Sequence, residues 1–125
     1  MTYTYRGLND DDTYKLIEIG KKLNTYIGNQ GGEAYEGVFY NNRLVGGTTV
    51  LITALSIEFN IVIMKKHQGK GLSKRLINGV ESLAREIGKS TVEATVINKQ
   101  LMAYLLSNGY ERMNEQSSFV WKEIR

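Results

Sequence analysis

The sequence predicts one α/β domain, an α+β arrangement on a mixed sheet with about seven strands and three to four helices. Three observations point to it. Short runs such as Ile57 to Met64 and Val92 to Val96 carry apolar residues at strand-like spacing. Two longer stretches, one after Asp12 and one after Leu72, repeat their apolar residues at helical spacing instead. Between the central strand-like run and the second helical stretch lies Gln68-Gly69-Lys70-Gly71-Leu72-Ser73, whose two glycines permit a tight turn.

Thr2 to Arg6 alternates and reads as a short first strand. Asp10, Asp11 or Asp12 is then placed to cap a helix running to about Tyr26, with Leu16, Ile19, Leu23 and Tyr26 or Ile27 on one face. Gly28-Asn29-Gln30-Gly31-Gly32 reads as a loop. Tyr35 to Tyr40 and Leu44 to Thr53 form two strands joined at Asn41-Asn42, both tolerant of positive φ. The fourth strand, Ile57 to Met64, follows almost at once. From Leu72 onward, Leu76, Ile77, Val80, Leu83, Ala84 and Ile87 share one face of a helix that Gly88 closes. Gly79 inside that helix costs about 1 kcal/mol relative to Ala, which implies close packing against the sheet. Val92, Ala94 and Val96 alternate as a fifth strand, and Leu101 to Leu106 forms a short helix. Tyr110 to Met113 and Ser118 to Ile124 complete the order as an antiparallel pair.

Composition narrows the functional classes. A chain of 125 residues is a domain of ordinary size that needs neither disulfides nor metal to build a core. It has no cysteine, which excludes thiolate zinc sites, thiol nucleophiles and disulfide redox chemistry. No apolar run approaches the length of a membrane span and the N-terminus is unlike a signal peptide, so no membrane partner is expected and the chain reads as cytoplasmic. The net charge of +3 is compatible with an anionic ligand. The cations from Lys65 to Arg75 lack interleaved aromatics, which favours phosphate groups of a small ligand over nucleic acid. His67 flanks the same turn, where it could contact phosphate, and as the one histidine it forms no metal pair.

The hexapeptide is placed to cradle phosphate: its glycines bring backbone close to a ligand, and the following helix points unpaired N–H groups and its positive dipole end at an anion. It is not a Walker loop, because Gly69 and Gly71 are separated by a single residue and no Ser or Thr follows a Gly-Lys pair. A dinucleotide fingerprint starting at Gly69 would require glycine where Lys74 stands.

The segment resembles the acyl-CoA pyrophosphate loop of the GNAT N-acetyltransferase superfamily, with Gln68, Gly71 and Ser73 in its three defining slots. Asn98 and, eleven residues on, the Gly109-Tyr110 pair match a second landmark of that family. Ile61-Val62-Ile63 matches the part of its fourth strand that binds the pantetheine arm. The resemblance implies the GNAT acyl-CoA N-acyltransferase fold and an acetyl-CoA-dependent transfer to a primary amine, of a peptide, a protein or a small molecule. It implies a donor site formed by Ile61, Val62, Ile63, Gln68, Gly69, Lys70, Gly71, Leu72, Ser73 and Asn98, without a metal. The amine attacks the thioester directly, while a backbone N–H around Ile61 to Ile63 stabilises the oxyanion.

A lysine-type amine, with a pKa near 10.4, must lose a proton before it attacks. Glu58 is the candidate base, acting directly or through a water held by Asn60, which projects to the same side of a regular strand. A solvated strand carboxylate is the alternative role. Many family members protonate the leaving thiolate from a tyrosine four residues before the Gly of the Gly-aromatic pair. Here that slot holds Leu105, and Tyr104, about 100° around the helix, is the candidate acid. The departure leaves open a catalytically weak CoA-binding module with a regulatory or interaction role, and the cations leave open a basic nucleic-acid-associated protein. Family members often dimerise through terminal strands, so a homodimer is a further expectation.

Overall fold

The structure, a computed structural model, describes residues 2–23 and 33–124. Among them, six strands form one sheet in chain order: β1 (Tyr3–Gly7), β2 (Glu33–Tyr40), β3 (Arg43–Ile52), β4 (Ser56–Ile63), β5 (Thr91–Thr95) and β6 (Phe119–Glu123). The α-helices are α1 (Asp10–Lys22), α2 (Leu72–Glu86) and α3 (Lys99–Ser107). Neighbouring strands are antiparallel except β4 and β5, which run parallel because the connection through α2 returns the chain to the same end. The mixed fold expected from the sequence is observed, with one strand fewer.

The missing strand is Tyr110 to Met113, where only Glu111 makes a bridge, to Trp121. Tyr110 is buried and its hydroxyl donates to Glu81 of α2 at 2.7 Å, which fixes the ring in the core. Ser117 N–H then bonds Asn114 C=O at 3.1 Å, turning the chain before a longer ladder can form. The cap of α1 also differs from expectation. Asn9, rather than an aspartate, accepts from the Asp12 N–H at 2.8 Å, while the Asp12 carboxylate accepts from the Asn9 N–H at 3.3 Å. This reciprocal box satisfies two groups at once, and the aspartates occupy the first turn, where the dipole favours them. The helix ends at Lys22 with Leu23 as its cap. Tyr26, Ile27 and the loop from Gly28 to Gly32 lie outside the described residues.

Two layers of helix sandwich the sheet. On one face, Ile77, Val80 and Ala84 of α2 and Met102 and Leu105 of α3 bury Ile57, Phe59, Val92, Ala94 and Val120. Leu72 and Leu76 continue this packing over Val38, Val45 and Ile63. On the other face Leu16 of α1 sits against Gly47. Gly79 does mark close packing: an added Cβ would lie 2.7 Å from Oε1 of Glu36 on β2. Asn41 and Asn42 take φ of 51° and 65° in the β2–β3 turn, and Gly88 takes 75° beyond α2, as their residue types imply. No helix among the described residues is long and apolar enough to cross a membrane.

Candidate active site

The β4–β5 pair opens partway along its length. Ser56 to Phe59 pair with Thr91 to Ala94, after which β4 continues to Ile63 with no strand partner on that side among the described residues. The other strand is drawn away: Val96 N–H bonds Ser118 C=O at 2.8 Å, keeping the chain beyond β5 with the segment that leads into β6. The β3–β4 register is unbroken from Gly46↔Ile63 to Ile52↔Ile57, so no bulge rotates the side chains. Thr53 N–H bonds Ser56 C=O at 2.9 Å and Met64 N–H bonds Val45 C=O at 2.8 Å. By the alternation of an antiparallel ladder, even-numbered β4 residues turn their backbone to β3 and odd-numbered ones to the opening. Ile61 N–H and C=O and Ile63 N–H therefore face the gap, while Ile63 C=O accepts from Gln68 Nε2 at 2.9 Å. Val62, paired with Gly47, directs its N–H to β3.

At the end of this gap the chain makes one 3₁₀ turn, Lys65–His67, and enters the glycine loop. Gly69 and Gly71 have φ of 77° and 78°, and a Cβ on either would meet nothing within 4 Å. Both glycines are thus required by conformation, and the space above them is open. Gly71 is the N-cap of α2; no side chain caps this helix and no acidic residue lies in its first turn. The contrast with α1 is chemical. There Asn9 and three aspartates satisfy the N-terminus, whereas at α2 the N–H groups of Leu72, Ser73 and Lys74 await an outside acceptor. Leu72 is buried, so its side chain anchors the helix and its N–H is what it offers. Lys70 is exposed beside the loop, and the Arg75 guanidinium lies over the Tyr5 ring at 5.1 Å. Asn98 lies on the other side of the gap, where its Oδ1 accepts from Leu101 N–H at 2.9 Å as the cap of α3. Its Nδ2 amide group and the second lone pair of Oδ1 remain for a ligand.

Glu58 is exposed and Asn60 half-buried, on the sheet face opposite Ile57 and Phe59. In register beside Glu58 lies Glu93, and beside Glu93 lies Trp121, which also bridges Glu111. Carboxylates and one indole thus form a row across neighbouring strands on the sheet face opposite α2 and α3. Glu93 was not among the residues singled out from sequence, although it sits between Val92 and Ala94 as Glu58 sits between Ile57 and Phe59. Tyr104 is half-buried against the core. Burial, and then the charge of Glu81, raise its hydroxyl above the ordinary tyrosine value. Leu105, in the slot where many family members place the acid, is fully buried. Glu81 is itself held by Tyr110 and by Lys122 Nζ at 3.3 Å, so this carboxylate is engaged in structure. No group of three or more His, Asp or Glu among the described residues is placed to hold a metal.

A family model described as an acetyltransferase (GNAT) domain matches residues 2–122. No curated protein matches in sequence. Among solved structures, an N-acetyltransferase from Staphylococcus aureus Mu50 superposes with a TM-score of 0.81 at 13% identity, covering 100% of both chains. PaiA N-acetyltransferase from Thermoplasma acidophilum, in complex with coenzyme A, gives 0.78 at 16%, covering 98% of this chain and 99% of that one. The ribosomal-protein-S18-alanine N-acetyltransferase from Escherichia coli gives 0.77 at 13%, covering 98% and 94%. At these identities the structural likenesses establish the fold.

Proposed function

The chain belongs to the GNAT acetyltransferase family, and on that premise we propose that it transfers the acetyl group of acetyl-CoA to a primary amine by direct attack on the thioester. The observation that carries this reading is the uncapped N-terminus of α2, with open space over its two left-handed glycines, at the end of the β4–β5 opening. Pyrophosphate at those N–H groups leaves the pantetheine arm to run into the gap, where Ile61 and Ile63 offer backbone groups. A structural relative was crystallised with coenzyme A, which supports the same donor here.

In this reading the thioester oxygen receives a hydrogen bond from Ile61 or Ile63 N–H as negative charge develops on it. Glu58, directly or through a water on Asn60, takes a proton from the attacking ammonium. The carbonyl carbon forms its new bond to nitrogen, the carbon–sulfur bond breaks, CoA leaves as a thiolate, and the second proton shed by the nitrogen balances the one the thiolate takes up. Tyr104 remains protonated throughout the neutral range because its pKa is raised. It is the candidate donor of a hydrogen bond and of the proton to the leaving sulfur.

A cationic acceptor suits the carboxylates of Glu58 and Glu93 and the face of Trp121. One relative acts on the alanine of a ribosomal protein, and a peptide or protein amine fits an open acidic row here. The test is release of CoA from acetyl-CoA by a panel of lysine peptides, N-terminal peptides and diamines. Burial of Leu105 at the slot of the family's acid favours a second reading, a CoA-binding module without turnover. Tight CoA binding with no release across the panel would establish that second reading.

A further inference from the structure

On the side of the glycine loop away from the β4–β5 gap lies a hollow of about 670 Å³. Its wall consists of three rings in mutual contact: Tyr3 and Tyr40 at 5.0 Å between centroids, Tyr40 and His67 at 5.2 Å, Tyr3 and His67 at 5.7 Å. Tyr3 and His67 are joined by a 2.9 Å hydrogen bond between the hydroxyl and Nδ1, which fixes the imidazole although it comes from the far side of the sequence. Three cations, Arg43, Lys66 and Lys70, line the same hollow, and no Asp or Glu does. None of the three makes a salt bridge among the described residues.

An unpaired cationic rim over an aromatic wall selects a particular chemistry. Exposed cations without carboxylates favour phosphate, and a fixed aromatic wall favours a flat ring that can lie against it. The hollow shares Lys70 with the loop but lies across β4 from the opening where the thioester reacts, so acetyl transfer makes no use of it. We propose that it is a binding site for a phosphorylated planar ring, an adenine-nucleotide-like group. Because the hollow lies across β4 from the opening, its occupant is a nucleotide separate from the acetyl donor.

The experiment is calorimetric titration of the full chain with adenosine 3′,5′-bisphosphate, and with CoA in its absence and presence. Both titrations are repeated on Arg43→Ala/Lys66→Ala, whose side chains lie outside the loop and the gap. The expected result is saturable binding of the bisphosphate, weakened about tenfold or more in the double variant. Binding persists in the presence of saturating CoA; binding that CoA abolishes belongs to the donor's own site and overturns the proposal. If the bisphosphate fails to bind, or binds the double variant as well as the parent, the proposal is overturned. CoA binding to the parent that the double variant leaves unchanged preserves the donor reading in that case. Bisphosphate binding without CoA binding sinks the donor reading alone.

Discussion

Replacing Gly71 separates the conformational need for glycine from its service to an anion. At φ of 78° any L residue is strained, yet an added Cβ meets nothing within 4 Å, so strain is the whole stability cost. That cost is about 1–2 kcal/mol for glutamate and less for asparagine, which tolerates the left-handed region. For a domain of this size it lowers Tm by roughly 3–8 °C. The effect on CoA is larger and has another origin. A carboxylate about 6 Å from a pyrophosphate carrying two charges is repelled by about 3 kcal/mol at an effective dielectric near 40, midway between surface and bulk limits. Gly71→Glu is therefore expected to weaken CoA about a hundredfold and Gly71→Asn by less than about fivefold, in calorimetry at low salt. Raising the salt should narrow the difference, because both charges are near solvent. If Gly71→Glu loses the expected stability but binds CoA within threefold of the parent, no anion sits at the head of α2.

Four other outcomes can be checked. Glu58→Gln should leave CoA affinity intact and lower turnover about 10²-fold or more at neutral pH, with the deficit shrinking as pH rises toward the amine's own pKa; a pH–rate profile parallel to the parent's places the base elsewhere. Tyr110→Phe leaves the buried Glu81 carboxylate one donor short and should cost about 1–2 kcal/mol in chemical denaturation, while Glu81→Ala, which strands both the Tyr110 hydroxyl and Lys122, should cost more. For Asp12, burial pushes the carboxyl up, but hydrogen bonds from Arg6 and the Asn9 N–H outweigh it and hold the pKa below the ordinary value. Its stabilising contribution is thus present above pH 4 and lost as pH falls through the depressed value, so the parent's stability advantage over Asp12→Asn should vanish in acid. Glu36 has the opposite sign. Burial beside α2 raises its pKa, so its contribution is lost as pH rises through that value, and Glu36→Gln should raise Tm at pH 7 with no gain near pH 4.

Elements with a strong period were legible in the sequence. The apolar face of α2 and the loop before it needed only local reasoning, because both helix and turn are decided within a few residues. Alternatives of equal local merit were harder. Asn9 and three aspartates are all good caps, and the choice falls on the pair that can reciprocate, Asn9 with Asp12. The segment after Tyr110 has strand-forming residues, but a partner 29 residues earlier in the chain, Glu81, takes the ring. In the candidate site, Glu58 was legible as a polar residue in an apolar strand. Which N–H groups face the gap was not, because that depends on ladder parity. The aromatic hollow was invisible for a different reason: Tyr3, Tyr40 and His67 meet only when β1, β2 and the loop are assembled.

The opening between β4 and β5 has a consequence for how the empty protein behaves in solution. It exposes, in the middle of a sheet, the backbone edge of an apolar run, Ile61-Val62-Ile63, that no charge or proline interrupts. Such an edge is a template for strand addition by another chain, a route to aggregation. A pantetheine arm lying in the opening would occupy that edge, so the donor would act as a plug against self-association. Prolonged incubation near the unfolding temperature should yield light scattering in the empty protein that CoA suppresses by more than its effect on Tm explains, and the residual scattering should fall when Val62, which turns away from the edge, is left alone and Ile61 is replaced by lysine.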